Sequence, residues 1–248
     1  MAVQFTTRTS QVSWNCEALV AKDIWLNICM NPILHGIQIT DLVYGSANIP
    51  QLNKMKKIGK ALSALQSDSI TKQKFFNKQY PSNISPEVRR ELEELRKRTT
   101  TISPADLEFA TQSEKDHYGL WIKILHNMGI SVPRSFFDNI AENTDGLMFT
   151  LKYHYNRPRP VQLGYYHGIH VNPAIYSSAN SPAFPSGHAM EARLFALILS
   201  EKYSFATDKL MNIGNRMAES RLNAGLHYPS DTEFGYEVAQ WIFSKKCF

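Results

Sequence analysis

Residues 185–199 read PSGHAMEARLFALIL, and this stretch decides the fold more directly than any other. It opens with Pro185-Ser186-Gly187-His188 and passes into apolar residues that end in the run Leu194–Leu199. A Ser-Gly pair ahead of an apolar segment is typical of a helix start. We therefore predict a helix over 188–203, followed by two more over about 207–224 and 231–245.

The same signals recur toward the amino terminus. Ser85-Pro86 and Ser103-Pro104 each place a capping residue before a proline at the first helical position. His117 and Trp121 belong to the core stripe of the helix that follows Pro104. Apolar residues at helical spacing predict the remaining helices: 13–32, 50–66, 86–98 and 135–156.

Residues 161–184 differ from the rest, because they are rich in Gly, Pro, Asn and Ser. We expect a long ordered loop there, of the kind that often carries function. No convincing alternating strand and no linker interrupt the helical pattern. The predicted fold is all-α, a single-domain helical bundle over residues 1–248.

Composition excludes several classes of protein. Of the 248 residues, 43% are apolar and 20% are charged, which excludes wholesale disorder. Cys16, Cys29 and Cys247 are sparse and lack metal-ligand spacing, which argues against a disulfide scaffold or a zinc ribbon. The longest apolar run, Leu194–Leu199, is far shorter than the roughly 20 residues that span a bilayer. We expect no integral membrane association and, since the start shows no signal-peptide pattern, a cytoplasmic location.

Charge identifies no macromolecular partner. The formal net charge is +5 with histidines neutral, which is compatible with an anionic partner but names none. Lys54, Lys56, Lys57 and Lys60 cluster on one amphipathic stretch, and such lysines usually form a solvent-facing surface. We expect no nucleic acid partner, and the sequence leaves homo-oligomerisation open.

Two cations stand where the helical pattern calls for apolar residues. Lys152 follows Met148 by four residues on an inward stripe, and Arg221 continues a similar stripe on its own helix. Either side chain could extend to the surface at a helix end. Two such cations, with Arg159 close to Lys152 in sequence, favour a shared anion site. The Ser186-Gly187 helix start adds unpaired backbone N–H groups that suit a phosphate.

A histidine and a carboxylate follow the second cation. Gly225 is a natural helix stop, which lets the chain turn and re-aim His227. Ser230-x-x-Glu233 predicts a capping box for the last helix, which places Asp231 in its first turn, close to His227. A neighbouring carboxylate fixes the tautomer of an imidazole and raises its basicity.

Together these elements resemble a known three-part signature. Lys152-x6-Arg159-Pro160, Pro185-Ser186-Gly187-His188 and Ser220-Arg221-x5-His227-x3-Asp231 resemble the motifs of the type 2 phosphatidic acid phosphatase (PAP2) superfamily. That superfamily includes class A acid phosphatases and vanadium-dependent haloperoxidases. The resemblance covers about residues 150–235 and implies the helical bundle of these enzymes, whereas residues 1–130 stay unassigned.

The resemblance also implies roles for individual residues. His227, held by Asp231, would attack phosphorus and form a phosphohistidine, and His188 would protonate the leaving oxygen and then activate water. No metal is implied. The implied phosphate-binding set consists of three cations and a helix start: Lys152, Arg159, Arg221, Ser186 and Gly187.

Three functions remain open from the sequence. The leading one is a soluble, metal-independent phosphatase acting on small-molecule phosphate monoesters, with no cofactor. The second is a haloperoxidase that holds vanadate in the same anion site. The third is a non-catalytic protein that binds a phosphoryl ligand. The leaving group could be a nucleoside, a sugar, a lipid head group or phosphate itself.

Overall fold

The computed structural model describes residues 38–175 and 180–248, and the helix predicted over 13–32 lies outside these ranges. Within them the chain is helical and contains no strand, which confirms the all-α prediction. No helix in the described ranges is long and apolar enough to cross a membrane. The helices are α1 Ile49–Lys56, α2 Lys60–Ser67, α3 Ser69–Phe76, α4 Pro86–Thr101, α5 Pro104–Lys115, α6 His117–Asn127, α7 Arg134–Tyr155, α8 Pro160–Tyr166, α9 Gly187–Lys202, α10 Thr207–Asn223 and α11 Pro229–Ser244.

Helix α9 is the centre of the core and packs against both α10 and α11. Gly214 of α10 lies against α9 so closely that a Cβ there would come within 2.9 Å of the Ala192 carbonyl oxygen. Gly235 of α11 does the same at the other end of α9, where a Cβ would lie 2.7 Å from the Ser186 carbonyl oxygen. This close packing fixes the amino terminus of α9 against the first turns of α11. The three helix bounds agree with prediction to within about two residues.

Two predicted helices are each divided in the structure. The segment 50–66 breaks between α1 and α2, where Gly59 packs tightly against α7. A Cβ atom at residue 59 would lie only 2.7 Å from the Asn143 Cα atom, so there is no space for one. The helix predicted after Pro104 breaks at Asp116, whose carboxylate accepts a 3.0 Å hydrogen bond from the Gly119 N–H and so begins α6. Both breaks depend on local contacts that helical spacing does not reveal.

Two other predictions need correction. Residues 161–184 are not loop throughout, because Pro160 begins the short helix α8. The capping box predicted for Ser230 and Glu233 is wrong. Helix α11 already begins at Pro229, and Asp231 caps it by accepting a 2.8 Å hydrogen bond from the Tyr228 N–H.

Candidate active site

A cavity of about 200 Å³ lies where the end of α7, the start of α9 and the turn before α11 meet. Five of the residues that line it belong to the predicted motifs: Lys152, Arg159, Gly187, His188 and His227. The structure therefore brings together residues from all three motifs, although they are far apart in sequence.

His227 is buried and held from one side by Asp231. Its Nδ1 atom lies 3.2 Å from the Asp231 Oδ2 atom, which also accepts the hydrogen bond from the Tyr228 N–H. The other oxygen, Oδ1, accepts a 2.6 Å hydrogen bond from Arg157, whose side chain is fully buried. Gly225, at φ +72°, ends the preceding helix in the left-handed conformation and turns the chain toward this position. Both oxygens of the carboxylate are thus fixed, and so is the orientation of the imidazole.

The other nitrogen of His227 faces a guanidinium. Arg159 Nη1 lies 2.9 Å from the His227 Nε2 atom, so Nε2 accepts while Nδ1 donates to Asp231. This pattern fits a neutral imidazole with its lone pair on Nε2. Burial, and then the charges of Arg159, Lys152 and Arg221, hold the pKa of His227 well below 6.5.

Two cations of the site are held by backbone carbonyl groups. Arg159 donates to the Ser181 carbonyl through Nε at 2.7 Å and to the Leu226 carbonyl through Nη1 at 2.6 Å. Lys152 donates to the Pro182 carbonyl at 2.7 Å and is 3% exposed, so its stem does not reach the surface. Burial, and then Arg159, lower the pKa of Lys152. An anion in the cavity would offset this concentration of positive charge.

Arg221 is not among the described residues that line the cavity. It is 1% exposed and donates a 2.7 Å hydrogen bond to Glu114 of α5. Its charge nevertheless lowers the pKa of both His188 and His227, after burial itself, which places it within electrostatic reach of the site. Of the three predicted cations, Lys152 and Arg159 line the cavity and Arg221 does not.

The start of α9 contributes unequally to the site. The Ser186 N–H donates to the Asp231 carbonyl at 3.0 Å, and the Ser186 hydroxyl caps α9 by accepting from the Ala189 N–H at 3.4 Å. Ser186 is fully buried, whereas Gly187 and His188 line the cavity. In this structure Gly187, and not Ser186, presents the helix start to a ligand.

His188 lies among positive charges. Burial, and then Arg221, His117 and His227, hold its pKa well below 6.5. The ring of His117, from α6, meets it edge to face with 4.8 Å between ring centroids. This environment therefore favours the neutral form of His188.

Several residues near the cavity were not predicted from the sequence. Glu191 lines the cavity one turn after His188. Because residues three apart share a helix face, the sequence could have placed Glu191 beside His188. His117, assigned from the sequence only to a core stripe, touches His188. Lys54 and Asp145 also line the cavity and form an ion pair at 3.1 Å. The contacts of Lys54 and His117 depend on tertiary packing and left no sequence signal.

The charged side chains that line the cavity differ in sign: Lys54, Lys152 and Arg159 are cationic, and Asp145 and Glu191 are acidic. Since Asp145 is paired with Lys54, the lining keeps an excess of positive charge that suits an anion. Among residues 38–175 and 180–248, no group of three or more His, Cys, Asp or Glu side chains is placed to hold a metal ion.

Comparison with known proteins gives one family. Residues 140–242 match the family model described as the PAP2 superfamily. The matched range contains most of α7, the whole of α8 to α10 and nearly all of α11, and so every residue that the motifs bring to the cavity. A search of curated proteins finds no match.

Proposed function

Because residues 140–242 belong to the PAP2 superfamily, whose members are generally phosphatases, we propose that this protein hydrolyses phosphate monoesters through a phosphohistidine on His227. One observation carries the proposal. His227 presents an unprotonated Nε2 atom beside the Arg159 guanidinium, while Asp231 holds its Nδ1–H. A nucleophile aimed beside a cation in a cavity of this kind is the arrangement that phosphoryl transfer needs.

Binding of the phosphate is assigned to the cations that line the cavity. Lys152 and Arg159 supply hydrogen-bond donors to the non-bridging oxygens, and the Gly187 N–H at the start of α9 supplies a further donor. Arg221, which does not line the cavity, contributes by offsetting the negative charge that develops in the transition state. When phosphate enters, Arg159 must exchange its hydrogen bond to His227 Nε2 for one to a phosphate oxygen, which uncovers the nucleophile.

The first chemical step forms the phosphoenzyme. The Nε2 lone pair of His227 attacks phosphorus, the bond from phosphorus to the ester oxygen breaks, and that oxygen takes a proton from His188. The unliganded site favours the neutral form of His188, so it must gain a proton when substrate binds. A phosphate dianion beside it favours the charged imidazolium and so supplies the reason for that uptake.

The second step returns the enzyme to its starting state. His188, neutral once it has given up its proton, takes one from a water molecule that attacks the phosphohistidine. The bond from phosphorus to Nε2 breaks, which returns the lone pair to His227, and inorganic phosphate leaves. His188 then releases its proton to solvent, which restores the starting state. Asp231 stabilises His227 in both steps by keeping its hydrogen bond to Nδ1. The lining cations take the part that a metal ion plays in other phosphatases, so the proposed reaction needs no metal.

Turnover of nitrophenyl phosphate tests the proposal. His227→Ala removes the nucleophile and should lower kcat by roughly 10³-fold or more, since loss of a nucleophile leaves only binding and charge stabilisation. His126→Ala, an exposed histidine of α6, is the matched control and should keep the wild-type rate. Wild-type protein that releases no phosphate, or equal rates in the two variants, would contradict the proposal.

A further inference from the structure

Glu191 is an acidic residue inside a cavity otherwise suited to an anion. Its Oε1 atom accepts a 3.1 Å hydrogen bond from the Tyr118 hydroxyl. Its Oε2 atom lies 3.9 Å from His117 Nε2, which is too long for a hydrogen bond. Among the described residues Oε2 therefore has no hydrogen-bond donor, although the side chain lines the cavity and is 15% exposed.

The surroundings of Glu191 disfavour the charged form of its carboxyl group. Met148, Phe149 and Met190 contribute apolar surface to the same cavity. Burial, and then the charge of Asp145, raise the pKa of Glu191 to about 7, although Tyr118, Lys54 and Lys152 oppose the shift. A carboxylate in this position would also repel a phosphate dianion. A donor group on the ligand would give Oε2 a hydrogen bond, and an ammonium group would also offset the repulsion.

Position relates Glu191 to the leaving group and not to the phosphoryl group. His188 is assigned to the ester oxygen, and Glu191 lies three residues later on the same face of α9. Three residues of helix advance about 4.5 Å along the axis, a span that a two-carbon alcohol covers.

We propose that Glu191 binds a hydroxyl or ammonium group on the alcohol part of the substrate. The preferred substrates are then phosphate monoesters that carry such a donor about two carbons from the ester oxygen. This inference rests on the proposed phosphatase function and adds to it the class of leaving group.

Three esters of nearly equal size test the inference. Propyl phosphate has no donor, 2-hydroxyethyl phosphate has a hydroxyl group, and 2-aminoethyl phosphate has an ammonium group. Wild-type protein should show a kcat/KM on one or both donor esters roughly 10- to 100-fold above that on propyl phosphate, the factor expected for a hydrogen bond to a charged group. The donor that gives the larger factor identifies the substrate as cationic or as a polyol.

Variants assign that preference to Glu191. Glu191→Gln should reduce the preference for the ammonium ester to less than about threefold, and Glu191→Met should abolish the preference for both donors. Ratios are taken within each variant, so that partial loss of folded protein cancels. Glu201→Gln, on the exposed side of α9 and paired with Lys246, is the matched control and should keep the wild-type ratios.

The possible outcomes separate this inference from the proposed function. Equal kcat/KM on the three esters, or a preference that persists in Glu191→Met, overturns the role of Glu191 while leaving the phosphatase intact. Turnover of nitrophenyl phosphate without turnover of any of the three alkyl esters also overturns only the role of Glu191. No turnover of any ester, nitrophenyl phosphate included, overturns the proposed function and this inference together.

Discussion

The two ring nitrogens of His227 have different partners, and this difference defines what the residue can do. Asp231 accepts from Nδ1, and Arg159 donates toward Nε2. A proton on Nε2 would point at a guanidinium, so the charged imidazolium is disfavoured until Arg159 moves. The same contact that protects the lone pair in the unliganded protein must break when phosphate binds.

The first prediction concerns the charge of this histidine. Burial and the neighbouring cations lower the pKa of His227, so the ring stays neutral as pH falls through 6.5 and gains its proton only at lower pH. NMR of protein labelled with ¹⁵N-histidine, with the His227 signal identified by its loss in His227→Ala, should show a titration midpoint below 6.5. A midpoint at or above that value would contradict the described environment.

Sequence predicted this residue pair because the signal was local. Gly225 stops one helix, and the next was predicted to begin with Ser230 as its cap, close to its actual start at Pro229. Either start brings His227 and Asp231 close together. Arg157, which binds the other oxygen of Asp231, could not be assigned in this way. Its contact joins residues 74 positions apart, and such contacts depend on how the helices pack.

At the scale of elements, Arg157 connects three parts of the chain. It follows α7 and donates to Asp231 of α11 at 2.6 Å and to Glu91 of α4 at 2.9 Å. The ring of Tyr228 lies 3.8 Å from its guanidinium carbon, which adds a cation–π contact. A fully buried cation with two carboxylate partners thus connects α4 to the site, and Glu91 adds a second connection by accepting a 2.8 Å hydrogen bond from the Ser230 N–H.

The second prediction tests that connection. Arg157→Met leaves Asp231 buried without its cation and should lower the free energy of unfolding by about 3–5 kcal/mol. Arg98→Met removes a half-exposed arginine of α4 that also pairs with two carboxylates, Glu94 and Glu219, and should cost about 1 kcal/mol or less. Urea denaturation of both variants measures the difference. Equal losses would mean that the buried pairs do not hold these elements together.

The ends of helices could be predicted where the sequence contains residues that start or stop a helix. The last three helices were placed to within about two residues because Ser, Gly and Pro mark their ends. The break between α1 and α2 was missed, since it depends on the close contact of Gly59 with α7. The loop predicted over 161–184 was partly wrong because a single proline start, Pro160, was outweighed by a composition rich in Gly and Asn.

At the scale of the whole molecule, three buried histidines make the folded state sensitive to acid. Burial is the largest cause of the lowered pKa at His117, where it reaches about 3, and at His188 and His227. Below pH 6.5 the unfolded chain takes up protons that the folded protein does not. Stability therefore rises with pH in this window and is lost as pH falls.

The third prediction isolates one of these groups. Each such histidine should lower the free energy of unfolding by about 1.4 kcal/mol for each pH unit below 6.5. His117→Gln removes a titrating group, so its free energy of unfolding should fall less steeply with acidification than that of the wild type, by about one proton. Urea denaturation at several pH values between 5 and 7 measures the slopes. Identical slopes would show that the folded protein protonates His117 as readily as the unfolded chain does.

The fourth prediction concerns metal and transition-state mimicry. Since the cavity is lined by cations, phosphatase activity should survive excess EDTA and should be inhibited by orthovanadate, which can become five-coordinate on a histidine. Phosphate release with each reagent is the measurement. Loss of activity on chelation, restored by magnesium or zinc, would contradict the metal-free reaction.

The phosphoenzyme itself gives the most direct test of the central claim. In His188→Ala, nitrophenyl phosphate labelled with ³²P should still phosphorylate the protein, because nitrophenolate leaves without needing an acid, whereas hydrolysis of the intermediate should slow by roughly 10²–10⁴-fold. Rapid quenching at high pH followed by peptide mapping should therefore find acid-labile label on His227. Label on any other residue, or no label in a variant that still releases nitrophenol, would contradict the assignment of His227 as the nucleophile.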